Sequence, residues 1–175
     1  MFTKNWIEAM TRQTRAYHLT KLALLALLLS ISSGTALAQE TVSVSAPAFV
    51  AFNVINVGSS STGSPSSARV SFSSANLTPG HRLRISVMAD SADFTPPSSG
   101  GTIGSSLVSW TVTGSQGGTG SSGTVSHSSF SQVFESTVDP VSGSVDLRFT
   151  LSATGSGIRA GDHDLPLRWR FESIP

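Results

Sequence analysis

Ser144-Val145-Asp146-Leu147-Arg148-Phe149-Thr150-Leu151-Ser152 alternates polar and apolar side chains through nine residues. A period of two puts Val145, Leu147, Phe149 and Leu151 on one face of an extended chain and the polar set on the other. That is the pattern of a strand with one face on a core and the other in water. The same period recurs elsewhere. Leu165, Leu167, Trp169 and Phe171 alternate with Arg168, Arg170 and Glu172, and both Arg82 to Val87 and Leu107 to Thr113 alternate in the same way. Weaker strands are predicted over residues 41–45, 49–57, 68–73 and 125–135, and no segment has a helical period. Pro166 lies among the outward residues of its strand and cannot donate a ladder hydrogen bond, which predicts an edge position or the strand's beginning.

The connectors are rich in residues that tolerate turn dihedrals: Gly58 to Ser67, Pro79-Gly80, Pro96 to Gly101, Gly114 to Gly123 and Ser142-Gly143. Strands without intervening helices predict an all-β chain, an antiparallel two-layer β-sandwich of immunoglobulin-like type with about seven to eight strands. Gly114 to Gly123 is expected to be a long mobile loop inside one domain. A linker there would leave about four strands on each side, with an apolar sheet face exposed.

The N-terminus has a different character. From Lys21 it runs KLALLALLLSISSGTALAQE, a basic residue, an apolar run and then Ala36-Leu37-Ala38 before Gln39. This is the pattern of a cleaved secretory signal peptide over residues 1–38, leaving residues 39–175 as a single exported β-sandwich domain. Leu22 to Ile31 is about half of the roughly 20 residues that span a bilayer, so no stable membrane insertion is expected after cleavage. The expected location is the periplasm, the cell surface or the medium.

Gln39 to Pro175 holds seven Arg against nine Asp and Glu, a formal charge of −2. That is no basic footprint for nucleic acid. This stretch has no Cys and no Lys, so neither disulfides nor Lys-based isopeptide cross-links enter the reading. It has no Tyr and two Trp, Trp110 and Trp169, which leaves few aromatic faces for stacking on sugars. Both Trp fall in phase with apolar neighbours and are read as core anchors, each stabilising by about 2–3 kcal/mol.

Chemistry-bearing motifs each have a plainer alternative. Gly118-Thr119-Gly120-Ser121-Ser122-Gly123 matches the dinucleotide pattern G-x-G-x-x-G, but it runs into the β-patterned Thr124-Val125-Ser126-His127 rather than a helix. His81, His127 and His163 have no local triad partners, and no G-x-S-x-G elbow occurs. Asp162-His163-Asp164 could offer metal ligands only if a turn brought them together, because on a strand His163 faces away from both Asp. The plainer reading is a tight turn, Ala160-Gly161-Asp162, before the last strand. Asp90 and Asp93 are read as loop residues, Arg168 and Arg170 as a solvated face, and Asn76-Leu77-Thr78 as a sequon that most bacteria would leave unmodified. No catalytic, cofactor-binding or metal-binding residue is assigned.

The leader, the lack of Cys, the alternating strands and the closing run from Ile158 to Trp169 resemble bacterial secreted β-sandwich proteins of the pilin-like and cell-surface type. The chain departs from wall-bound surface domains that carry Trp-x-Leu, and from fimbrial subunits that carry paired Cys. No functional residue is transferred. The expectation is an exported, non-enzymatic structural or adhesive surface protein, a subunit that meets other protein subunits through strand edges, with the alternating Thr41 to Ala46 as a strand that could be donated to another chain. The alternative is a secreted module that binds a glycan or other ligand with its loops.

Overall fold

A computed structural model describes residues 39–55, 58–95, 102–152 and 160–175. The signal peptide expected over residues 1–38 and the connector at 96–101 lie outside them.

The protein is all-β, built as two antiparallel sheets. The nine-residue alternation from Ser144 to Ser152 forms β10 (Gly143–Ser152), which lies inside the first sheet. Its Val145, Leu147, Phe149 and Leu151 are fully buried. On one side it pairs with β4 (Ala68–Asn76) and then, past Thr150, with the short β3 (Ser60–Thr62). On the other side it pairs with β6 (Val108–Gln116), which a single 3-10 turn at Ser105–Leu107 leads into. The sheet ends at β1 (Thr41–Ser45), beside β4, and at the two-residue β8 (Gly123–Thr124), beside β6.

The second sheet runs β2 (Phe49–Val54), β11 (Gly161–Ile174), β5 (Arg82–Ala89), β9 (Ser131–Ser136), β7 (Gly118–Gly120). Inward residues of both sheets form one hydrophobic core, in which Phe72 of the first sheet meets Phe134 of the second with ring centroids 6.1 Å apart. Thus the eight strands read from the alternation are present, and three short ones are added within the connectors.

Pro166 is neither at an edge nor at a beginning. It sits mid-strand, where β11 changes partners: Gly161 to Pro166 pair with β2, and Leu167 to Ile174 pair with β5. The proline therefore falls at a handover between ladders, where a missing N–H is tolerated. The turn expected at Ala160-Gly161-Asp162 is also corrected, because β11 already begins at Gly161. Val125 to Phe130, expected as strand, is a serine turn in which Ser126 Oγ accepts from the backbone N–H of Ser128 and of Ser129. Val125 is nevertheless buried, and its N–H donates to Val108 O at 2.9 Å.

The largest correction concerns Gly114 to Gly123, which is ordered strand rather than a long loop. β6 continues to Gln116, the chain turns at Gly117 (φ 73°), and β7 and β8 then join opposite sheets. Glycine is what permits this. A Cβ at Gly118 would lie 2.2 Å from Glu135 O and 2.5 Å from Phe134, one at Gly120 2.7 Å from Val112, and one at Gly123 2.8 Å from Trp110. The three glycines of the dinucleotide-like pattern are there because backbone packs directly onto side chains.

Candidate functional site

Two surfaces combine several polar or unpaired groups. The first is the N-terminal arm. β1 pairs with β4 on one side through Thr41–Asn76, Ser43–Ser73, Val44–Phe72 and Ser45–Ser71, and among the described residues its other side makes no backbone hydrogen bond. Its burial is slight: only Val42 packs against the core, and Val44 is 49% exposed. Past Ser45 the chain crosses to the other sheet through Ala46-Pro47-Ala48. This crossing is fastened to β11, because the Trp169 indole N–H donates to Pro47 O at 2.7 Å and Leu167 N–H to Ala48 O at 3.0 Å. Trp169 is therefore a half-buried clasp on this crossing rather than the buried anchor expected, whereas Trp110 is fully buried and donates to Ser121 O.

At its other end the arm is held by Glu40. Its carboxylate accepts from Thr78 N–H at 2.7 Å and from the Ser173 hydroxyl at 2.9 Å, while His81 Nδ1 lies 2.8 Å from Ser173 Oγ and 3.5 Å from the same carboxylate oxygen. Hydrogen bonds from Thr78, then from Ser173, hold the Glu40 carboxyl below its ordinary range, and the nearby His81 adds attraction. A serine, a histidine and a glutamate in contact invite comparison with a hydrolytic relay. The order is wrong for one, since serine and carboxylate meet the same ring nitrogen and the hydroxyl donates straight to the carboxylate. The cluster acts as a fastening between the start of the β1 arm, the β4–β5 turn and β11. Nothing in the local sequence could have revealed it, because Glu40 and Ser173 are 133 positions apart.

The second surface is an open cleft of about 620 Å³ beside β9, whose lining includes Arg82, Thr119, Gln132, Glu135, Thr137 and Val138. Glu135 receives Arg82 at 3.2 Å and Arg84 at 3.3 Å. The cleft offers donors and acceptors but no aromatic face.

The residues singled out in the sequence are spread over the molecule. His81 belongs to the fastening, His127 is exposed in the serine turn, and His163 is buried, with Phe94 edge-on at 6.3 Å. Asp162 and Asp164 lie on the exposed face of β11 and His163 on the core face, so the trio does not converge. Asp162 accepts instead from the Asn53 amide at 2.8 Å. Among the described residues no three His, Asp or Glu side chains come together as metal ligands. Asp90 is not a bare loop residue, since it forms an ion pair with Arg168, and Arg170 stacks over the Phe130 ring at 4.4 Å; the pair of arginines is engaged on its own surface. Asn76 is exposed at the end of β4. No protein-family profile, curated protein or solved structure matches the chain.

Proposed function

We propose that the chain is an exported, non-enzymatic structural or adhesive surface protein, whose two sheets form an immunoglobulin-like β-sandwich that assembles through its strand edges. The observation that carries this reading is the far edge of β1, unpaired among the described residues, five residues without a charge or a proline in a strand that packs little of itself on the core. Natural sheets usually blunt such edges with lysine, proline, bulges or cover, because a bare edge templates pairing with another chain; of these devices β1 has only the irregularity between Thr41 and Ser43 in its ladder with β4. The export leader and the resemblance to secreted surface sandwiches agree with it. The test compares the full chain with a variant lacking Gln39 to Ala46, by electron microscopy and light scattering. Assembly by the former and not the latter is expected, and equal assembly by both overturns the reading.

A second reading, a ligand- or glycan-binding module, is favoured by the cleft at Arg82, Gln132 and Glu135, whose groups suit hydroxyl-rich ligands. A glycan array probed with the protein checks it. Binding that disappears in Gln132→Ala is its expected signature.

A further inference from the structure

We infer that β1 is a two-fold self-recognition strand, which pairs antiparallel with β1 of a second copy of this chain about Ser43. The inference rests on the reading above, that strand edges are the assembly surface, and specifies which edge, which partner and which register.

Four strands end the two sheets and β3 lies beside β10 off that path with three residues; of these five only β1 and β2 are longer than three. β8 has two residues and β7 three. β2 is longer, but its Ala51 exchanges both backbone hydrogen bonds with Ser64, at 3.2 and 2.7 Å, which caps the middle of that edge. β1 presents a run of five uncharged residues with its far side unpaired among the described residues, whereas β11 beyond Leu167, which also has a single ladder partner, carries Arg168, Arg170 and Glu172.

The sequence of this edge is close to a palindrome. Antiparallel pairing centred on Ser43 sets Ser43 against Ser43, Val42 against Val44, and Thr41 against Ser45. Every cross-strand pair is then hydroxyl with hydroxyl or β-branched with β-branched, the combinations that stabilise a ladder. Val44, 49% exposed in one copy, would lie beside Val42 of the other and lose that exposure. The register also avoids repulsion, because Glu40 would face Ala46 and not a second carboxylate. Pro47 opposite Gln39 ends the ladder, since proline has no N–H to continue it. Such a contact is isologous and closes at two copies.

Full-length chain is expressed with Ser43→Cys, in a protein whose residues 39–175 contain no native cysteine, and is oxidised mildly after recovery. Facing residues of an antiparallel pair lie about 4.5–5.5 Å apart at Cα, within disulfide reach. A disulfide dimer at least about tenfold above that of Thr111→Cys, an exposed position on the outer face of the same sheet, supports the inference. Light scattering should show a concentration-dependent dimer for the native chain, lost in Ser43→Lys and in Val44→Lys, with circular dichroism unchanged. A native chain that stays monomeric, with no excess Ser43→Cys linkage, overturns it. Disulfides from Ser43→Cys to Ser73→Cys of another copy also overturn it, because they report exchange of the whole arm. Assemblies that form without excess linkage at position 43 overturn the β1 register while leaving assembly through other edges standing.

Discussion

Ser173 donates a 2.9 Å hydrogen bond to Glu40, joining the start of the described chain to its last strand across 133 positions. The contact matters because the arm that Glu40 begins has little else to hold it: one partly buried valine, one ladder and the crossing at Pro47. Electrostatics at one end and a clasp at the other therefore hold β1 against β4.

Glu40 supplies a pH dependence of known sign. Its folded carboxyl titrates below the ordinary value of 4.5, so the stability it contributes is present above about that pH and is lost as pH falls through the folded value. Protection factors for amide exchange at residues 41–45, taken relative to the intrinsic rate at each pH, should therefore fall as pH drops from about 4.5 through the folded value in the native chain. In Glu40→Gln the exchange at neutral pH should already be faster, and the acid step should shrink. Asp146, held low by hydrogen bonds from Arg69, titrates in the same direction but remains in both proteins, so the difference isolates Glu40.

The packing glycines predict a graded series. Gly118→Ala places a methyl 2.2 Å from a backbone oxygen and cannot be relieved by a side-chain rotation, and Gly123→Ala drives one into the Trp110 ring at 2.8 Å. Each should destabilise by about 1–3 kcal/mol, the usual cost of overpacking. Gly104→Ala meets nothing nearer than 3.6 Å and should stay within about 0.5 kcal/mol. Urea unfolding measures all three. Equal midpoints for Gly118→Ala and Gly104→Ala would show that β7 does not lie on β9 as described.

What the sequence displayed, and what it hid, follows from the range of the forces involved. Val145 to Leu151 and Leu165 to Phe171 announce their faces because burial repeats every second residue within one strand. Gly114 to Gly123 hid its strands, since turn-permissive glycine and close-packing glycine are the same letter. What separates them is Phe134, Val112 and Trp110, residues reached only in three dimensions. Pro166 misled for a related reason: a rule about ladders cannot see that β11 changes partners beneath it. Of the candidate site, the alternating Thr41 to Ser45 was visible, but the Glu40–Ser173–His81 fastening was not, because no local pattern encodes a contact between residues 133 positions apart.

The Asp162-His163-Asp164 segment separates a core histidine from a metal site by stability alone. His163 is 1% exposed and edge-on to Phe94, so His163→Ala should open a cavity and cost several kcal/mol, in the range of about 2–5 for large-to-small core changes. Asp162→Ala removes one exposed hydrogen bond from Asn53 and should cost no more than about 1 kcal/mol. Thermal melts with and without Ca²⁺ or Zn²⁺ should coincide for the native chain. A metal-dependent rise in Tm that vanishes in Asp162→Ala would show that the segment binds a cation after all.

Trp169→Phe tests whether the crossing governs the arm. The substitution keeps an aromatic ring against the core and deletes the N–H that holds Pro47 O at 2.7 Å. Losing one hydrogen bond to a partly solvated carbonyl should change global stability by about 1 kcal/mol. The local effect should be larger in proportion, because β1 packs so little of itself on the core that its protection depends on its two ends. Amide exchange at Val42 to Ser45 should therefore speed up by about tenfold while exchange in β10 changes by much less, a pattern of local rather than global opening. Uniform acceleration across β1 and β10 would mean that Trp169 contributes through the core, and that the Pro47 contact is incidental to the arm.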